Sequence, residues 1–210
     1  MDRLARMVGG LLALARLEHA ATAPEPVDAD AVLADRAAAW MALAAEHHVQ
    51  ITVTGPPAGK VQAIPGALEQ IVDNLVSNAL RVAPPASTIT LHREPAGEPA
   101  TAADGTQHVQ LHVIDQGPGM TAADRARAFD RFWRAPGSTH HDGTGLGLPI
   151  VRQLTHAGGG QITLNPAPGG GLDATIYLRP AAPIRQHPTA RTARTQQRPP
   201  RRPRTRMRTR

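Results

Sequence analysis

Apolar and polar residues recur along this chain at two periods, one typical of helices and one of strands. Residues 3–18 carry an apolar seam at alternating spacings of three and four, formed by Leu4, Met7, Leu11 and Leu14. Such a seam predicts a helix that packs in a bundle or coiled coil. The two prolines of residues 21–26 end that helix and predict a linker.

After the linker, the pattern predicts helices and strands in an interleaved order. Helices are expected from a cap at Asp28 or Asp30 to about Glu46, from Pro65 to about Val82, and over residues 122–129 and 147–157. Strands are expected over residues 49–53, 60–64, 87–92, 108–114, 161–164 and 174–178. Because no run of parallel βαβ units occurs, we predict an α+β fold. It would be a two-layer sandwich of one mixed sheet with helices on one face, preceded by one bundle helix.

Charge is distributed unevenly along the chain. Of the 23 Lys and Arg residues, 11 lie from Arg179 onward, after the last acidic residue, Asp173, so residues 1–178 hold 12 basic against 17 acidic residues. Residues 181–210 are almost only Arg, Pro, Thr, Gln and Ala, which predicts a disordered tail. Counterion release would let this tail bind nucleic acid or anionic lipid. A tail without function is favoured, because no aromatic residue is present to stack bases.

Length and composition narrow the class of protein. A chain of 210 residues fits one medium domain or at most two small ones. We predict one domain, over residues 27–180, between a bundle helix at 1–20 with its linker at 21–26 and the tail at 181–210. The absence of cysteine excludes a disulfide framework and a zinc site built on thiolates. No run of about 18 apolar residues occurs, so we expect no membrane span and a cytoplasmic location.

The first candidate motif is Asn-Leu-Val-Ser-Asn, on the predicted helix that ends at Val82. Asn74 and Asn78 are one helical turn apart, so their amides lie on one face. Side-chain carbonyls together with phosphate oxygens suffice to bind Mg²⁺, which keeps several waters. Arg81, about one turn further on, would add a cation near the phosphates. Taken alone, this spacing is more typical of a solvated helix face.

Two further motifs are rich in glycine. Asp115 ends an apolar strand and is followed by Gly117 and Gly119. A carboxylate there can accept a hydrogen bond from the exocyclic amine of adenine, and glycines let the backbone approach the base; an ordinary turn after a strand is equally compatible. Residues 143–148, Gly-Thr-Gly-Leu-Gly-Leu, open a predicted helix whose amide groups and dipole favour phosphate.

In their order along the chain, these motifs resemble the boxes of the catalytic, ATP-binding domain of bacterial sensor histidine kinases. That domain belongs to the superfamily shared by gyrase, mismatch-repair and chaperone ATPases. Residues 68–80 resemble the N box, 113–120 the first glycine box, 128–134 the F box and 143–151 the second glycine box. The resemblance covers residues 2–180, in which residues 3–18 are similar to the end of the second helix of the dimerisation bundle.

The resemblance implies ATP and Mg²⁺ as cofactors and assigns a role to each site residue. Asn78 would bind magnesium with Asn74 assisting, and Asp115 would contact adenine. Arg81 stands where the family usually has a phosphate-binding Lys. The remaining nucleotide contacts that the resemblance implies lie in the first glycine box, in the anchors of the lid and in the phosphate-binding hinge. They are Gly117, Gly119, Phe129, Phe132, Gly143, Thr144, Gly145, Leu146 and Gly147.

Several positions depart from the family pattern. Val82 stands where an aromatic residue often lies against adenine, and Asp130 replaces the usual Glu of the F box. Ile64 stands where the family often has an Asp before Pro65. The short lid contains His140, His141 and Asp142, for which a solvated polar tip is favoured over a metal site.

The residue one turn before the magnesium-binding Asn separates hydrolysis from phosphoryl transfer. Hydrolysing members of the superfamily use a Glu there, whereas the amide of Asn74 cannot act as a base. Phosphoryl transfer needs less from the protein, because the acceptor supplies the nucleophile. In the kinase family the acceptor is a His in a His-Glu-Leu-Arg-Thr-Pro-like box. No such box occurs in this chain, and His19 lacks the Arg and Pro that would follow.

We therefore expect a truncated histidine kinase of a two-component phosphorelay, a transferase that binds ATP and magnesium but does not phosphorylate itself in cis. Its expected partners are a response regulator and an acceptor-histidine bundle in trans, and residues 3–18 would support a homodimer. Full-length members are usually anchored in the inner membrane. The alternatives are a nucleotide-binding regulatory module whose basic tail docks on nucleic acid or a partner, and an anti-sigma-type Ser/Thr kinase.

Overall fold

The computed structural model describes residues 23–95, 107–135 and 144–181. The strands are β1 (Glu25–Asp28), β2 (Gln50–Thr54), β3 (Lys60–Ala63), β4 (Thr88–Glu94), β5 (Val109–Ile114), β6 (Gln161–Pro166) and β7 (Leu172–Leu178). The helices are α1 (Ala29–Glu46), α2 (Ala67–Val82), α3 (Ala122–Arg127) and α4 (Gly147–Ala157). The bundle helix predicted over residues 3–18 and all but the first residue of the tail at 181–210 lie outside the described residues.

The main sheet has five strands in the order β2-β4-β5-β7-β6. β2 runs parallel to β4, and the other neighbouring strands are antiparallel. β1 and β3 form a separate antiparallel pair. This mixed sheet, with helices packed on it, confirms the predicted α+β fold.

The core lies between the sheet and helices α1, α2 and α4. Alternate residues of the central strands point into it because side chains alternate across a strand. The apolar side of α2 covers the middle of the sheet and is fully buried, through Leu68, Ile71, Val72, Leu75 and Val76. The polar residues of α2 are therefore left on its other sides, which include the flanks that face α1 and α4.

Several predicted boundaries differ from the structure by one or two residues, and two of the differences concern how an element begins. β1 begins at Glu25, inside the segment 21–26 predicted as a linker. Pro26 is compatible with this strand because β1 pairs only with β3, so one edge of it needs no hydrogen-bond donor. α2 begins at Ala67 rather than at Pro65, since its cap residue, Gly66, has a φ of 75° that a helix cannot continue through.

Two acidic residues fix the start of α1. The Asp28 side chain caps the helix by accepting a hydrogen bond from the main-chain N–H of Ala31 at 3.0 Å. Asp30 accepts from the main-chain N–H groups of Ala58 and Gly59 and from Arg93. Burial disfavours the ionised carboxylate of Asp30, but these hydrogen bonds outweigh burial and lower its pKa. Asp30 thus ties α1 to the loop before β3 and to β4.

In the three described stretches of the chain, no helix combines the length and the apolar character needed to cross a membrane.

Candidate functional site

Two asparagines of α2 lie against the first residue of α4. A β-carbon built on Gly147 would lie 3.3 Å from Oδ1 of Asn74 and 3.3 Å from Nδ2 of Asn78. Glycine at this position therefore lets the start of α4 approach both amides closely. The structure thus brings together Asn74, Asn78 and Gly147, which the sequence assigned to one site from two separate motifs.

The amide of Asn74 has a defined orientation. Its Nδ2 donates a hydrogen bond of 2.8 Å to the main-chain carbonyl of Gln70, one turn earlier on α2. This bond leaves Oδ1 directed towards Gly147, beside the amide of Asn78. Two side-chain oxygens next to a space that a β-carbon would fill are hard donors of the kind Mg²⁺ prefers. The residues present fit that ion.

Asp115 follows β5 and is 5% exposed. Its Oδ1 accepts hydrogen bonds from the main-chain N–H of Gly117 at 2.8 Å and of Leu172 at 3.2 Å. Burial raises the pKa of this carboxyl group, and the two hydrogen bonds oppose the increase. Both hydrogen bonds go to Oδ1, and among the described residues none donates to Oδ2.

The last residue of α2 forms a wall beside Asp115. A β-carbon on Gly117 would lie 2.9 Å from Cγ2 of Val82 and 3.0 Å from Oδ1 of Asp115. The side chain of Val82 is 42% exposed, so it presents an apolar surface next to the carboxylate. Asn78 and Val82 are four residues apart, or about 6 Å along the helix axis. α2 therefore contacts both the start of α4 and the loop after β5.

The turn between β6 and β7 holds the loop after β5 in place, a contact that the sequence did not reveal. The main-chain N–H of Asp115 donates to the carbonyl of Leu172 at 3.0 Å. A β-carbon on Gly119 would lie 2.9 Å from the carbonyl oxygen of Gly171, and one on Gly171 would overlap the carbonyl of Asp115. The glycine-rich sequence indicates a hairpin turn. It does not indicate which loop the turn contacts, because that depends on the antiparallel register of β5 with β7.

The F-box residues occupy two different environments. Phe129 packs against the core, and its ring centroid lies 5.3 Å from the Arg152 guanidinium. Phe132 is 56% exposed and has a φ of 64°. Its main-chain N–H donates to the carbonyl of Gly145 at 2.9 Å, and a β-carbon on Gly145 would lie 2.7 Å from Cα of Phe132. The F box and the second glycine box are therefore joined through their main chains.

The start of α4 carries the remaining candidates. Leu146 is buried, and its main-chain N–H donates to the hydroxyl of Thr144 at 3.3 Å. The N–H groups of the first turn have no carbonyl partner within the helix, and the helix dipole adds positive potential there. Arg81 lies in the last turn of α2, three residues beyond Asn78. Gly143 and the histidines at 140 and 141 lie outside the described residues.

Within the described stretches, no group of three or more His, Asp or Glu is placed to hold a metal ion. The asparagine amides beside Gly147 are the candidate cation ligands on which the sequence and the geometry agree.

Comparisons with known proteins agree on one family. Residues 63–182 match the family model described as histidine kinase-, DNA gyrase B- and HSP90-like ATPase. The chain is 31% identical over 180 residues to the sensor-like histidine kinase SenX3 of Mycolicibacterium smegmatis, covering 84% of this chain and 44% of SenX3. It is 35% identical over 182 residues to the sensor protein IrlS of Burkholderia pseudomallei, covering 85% of this chain and 36% of IrlS.

Solved structures give the same result. The structure of full-length ShkA in complex with AMPPNP matches with a TM-score of 0.66 and 31% identity, over 88% of this chain and 38% of ShkA. The mycobacterial sensor histidine kinase MprB matches with a TM-score of 0.59 and 27% identity, over 75% of this chain and 99% of that structure. The chain spans less than half the length of SenX3 and IrlS.

Proposed function

The chain belongs to the family of histidine kinase-, DNA gyrase B- and HSP90-like ATPases, and from this premise we propose that it binds ATP with magnesium and transfers the γ-phosphate to a histidine. It would act as the catalytic domain of a two-component sensor histidine kinase. The observation that carries the proposal is the position of α2, which lies against the start of α4 at Asn74 and Asn78 and against the Asp115 loop at Val82.

We propose that the adenine end of the site is built on Asp115. Its Oδ2 would accept from the exocyclic amine, while the bonds from Gly117 and Leu172 hold Oδ1 in place. Val82 would contact one face of the base through its exposed apolar side chain. A buried carboxylate with one oxygen fixed favours a nucleobase that carries an exocyclic amine. A nucleobase without that donor would leave the other carboxylate oxygen unpaired.

The phosphate end would be formed by α2 and α4. The oxygens of Asn78 and Asn74 would hold a magnesium ion, and the N–H groups at the start of α4 would bind phosphate oxygens. Arg81 would add positive charge near the γ-phosphate. A magnesium ion bound there would neutralise charge on the transferring group. The remaining contribution of the protein is to position the nucleotide for in-line transfer.

Transfer rather than hydrolysis is favoured by the residue at position 74. An amide has no basic lone pair with which to deprotonate water, so Asn74 would orient groups without activating a nucleophile. The nucleophile must then be supplied by the acceptor. We propose an acceptor histidine in trans, because none of the ten histidines in this chain lies in a His-Glu-Leu-Arg-Thr-Pro-like box. A response regulator would be the subsequent phosphoryl acceptor.

The proposal is tested by incubating the chain with γ-labelled ATP, alone and with the acceptor-histidine bundle of a sensor histidine kinase whose own catalytic domain has been removed. We expect acid-labile, base-stable label on the added bundle, none on the chain alone, and none with Asn78→Ala. Rapid release of free phosphate without any protein label would contradict phosphoryl transfer. Stable label on the chain alone would contradict an acceptor in trans.

A further inference from the structure

We propose that Trp40 and Asp73 form a positioning pair that sets the rotation of α2 about its own axis, and with it the placement of the Asn74 and Asn78 amides for a magnesium-bound nucleotide. The inference rests on the proposed function and deepens it. It assigns a role in that site to α1, which contributes no side chain to it directly.

The pair connects α1 to the polar side of α2. Nε1 of Trp40 donates a hydrogen bond of 2.8 Å to Oδ1 of Asp73. One turn earlier on α1, Nη1 of Arg36 lies 3.5 Å from Oδ2 of the same carboxylate. Asp73 therefore contacts two successive turns of α1, through one hydrogen bond from Trp40 and one ion pair with Arg36. The directional hydrogen bond narrows the orientations open to the carboxylate.

Asp73 and Asn74 are consecutive residues, so the contact with α1 and the site share one peptide unit. Around the helix they are about 100° apart, which places Asp73 on the flank facing α1 and Asn74 on the flank facing α4. Gly147 of α4 lies against Asn74 and Asn78 on that second flank. α2 is thus held between α1 and α4 through its polar residues, while its aliphatic side lies on the sheet.

The aliphatic side holds α2 on the sheet, but hydrophobic contacts are not directional and do not set the positions of individual atoms on its polar side. A side-chain oxygen lies about 5–6 Å from the helix axis, so a rotation of about 10° moves it by about 1 Å. Mg²⁺ demands near-ideal octahedral geometry and tolerates such displacement poorly. A directional hydrogen bond one residue from a magnesium ligand is therefore placed to control metal-dependent affinity.

The test compares nucleotide affinity with and without magnesium. We would titrate the full chain with AMPPNP by calorimetry in MgCl₂ and in EDTA, and take the ratio of the two dissociation constants. Trp40→Phe removes the indole N–H and keeps an aromatic side chain, and Asp73→Ala removes the acceptor. Asp73→Asn retains an acceptor oxygen for the indole. Asp35→Ala, at an exposed position of α1, is the matched control.

We expect Trp40→Phe and Asp73→Ala each to reduce the magnesium-dependent gain in affinity by about tenfold, as is typical of groups that orient metal ligands. Affinity in EDTA should stay unchanged, because Asp115 is untouched. The double variant should lose no more than either single variant. Asp73→Asn and Asp35→Ala should retain the wild-type ratio.

A purely structural role gives a different result: a lower melting temperature with an unchanged ratio in every variant, which would overturn this inference and leave the proposed function standing. If Trp40→Phe fails to fold, Asp73→Ala, a substitution of a side chain that is 36% exposed, decides alone. A wild-type chain that binds no AMPPNP in magnesium would overturn the proposed function, and the positioning role with it.

Discussion

The main-chain N–H of Leu172 donates a hydrogen bond of 3.2 Å to Oδ1 of Asp115, across 57 residues of sequence. This bond joins the first residue of β7 to the carboxylate that follows β5. It fixes one oxygen of a buried side chain while that side chain remains an acceptor through its other oxygen. The same carboxylate has a raised pKa because it is buried. Ionisation of this group in the folded chain therefore lowers the free energy of unfolding.

Asp115→Asn is expected to weaken nucleotide binding without lowering the stability of the folded chain. The folded-state pKa of Asp115 lies above the reference value of 3.8, so the folded chain holds this proton more tightly than the unfolded chain does. Stability therefore falls as pH rises from about 3.8 through the folded-state pKa, and the loss is constant above it. Asparagine resembles the protonated acid and keeps an oxygen for Gly117 and Leu172.

We therefore expect the melting temperature of Asp115→Asn to equal or exceed that of the wild type at pH 7, with a difference that shrinks towards pH 4. Affinity for AMPPNP should fall about 10- to 100-fold, the usual loss when a hydrogen bond to a charged group is removed. Thermal melts followed by circular dichroism from pH 4 to pH 8, with titrations at pH 7, measure both. A variant that melts well below the wild type at pH 7 would show that the carboxylate contributes net stability.

Gly147→Ala tests the close approach of α4 to the asparagines. Alanine is favoured over glycine in a helix by about 1 kcal/mol, which offsets the crowding of a β-carbon 3.3 Å from both amides. We expect a melting temperature close to that of the wild type and an affinity for AMPPNP with magnesium reduced by about tenfold.

Gly158→Ala is the matched control at the other end of the same helix, since its φ is −78° and a β-carbon there would meet its nearest neighbour at 3.4 Å. It should leave affinity unchanged. Equal affinities for the two variants would contradict a role for the space beside Gly147.

Comparison of Gly171→Ala with Gly170→Ala separates the effect of backbone strain in the turn from the effect of displacing Asp115. Both glycines have positive φ, 92° and 102°, so the backbone conformation alone should cost alanine at either position about 1–2 kcal/mol of unfolding free energy. A β-carbon on Gly171 would overlap the carbonyl of Asp115, whereas one on Gly170 meets no atom within 4 Å.

We expect both variants to melt at lower temperature and Gly171→Ala alone to lose nucleotide affinity as well. Urea unfolding and calorimetry measure the two effects. Loss of affinity in Gly170→Ala to the same extent would indicate that the turn acts through general destabilisation and not through Asp115.

Much of this site could be predicted from local sequence because its motifs coincide with ends of regular elements. α4 has the bounds that its apolar pattern predicts, and the strand before Asp115 was expected within one residue of its observed start. The start of α2 was not, because Gly66 rather than Pro65 sets the entry of the chain into the helix. β1 was missed because Pro24 and Pro26 indicated a break, and its partner, β3, is more than 30 residues away.

The contacts between motifs could not be predicted. The hydrogen bond between Leu172 and Asp115 and the fit of Gly147 against Asn78 depend on strand register and helix packing, which bring together residues 57 and 69 positions apart. The domain boundaries at 27–180 and the roles of the individual site residues stay predictions.

We propose that one pocket holds adenine at Asp115 and a magnesium-bound phosphate at Asn78. The most direct measurement is calorimetric titration of the wild type, Asn78→Ala and Asp115→Ala with ATP and magnesium, with Asn165→Ala on β6 as the control outside the pocket. We predict that the wild type and the control bind with equal affinity and that both pocket variants bind at least about tenfold more weakly. Equal binding by all four proteins would show that Asp115 and Asn78 do not form the nucleotide pocket.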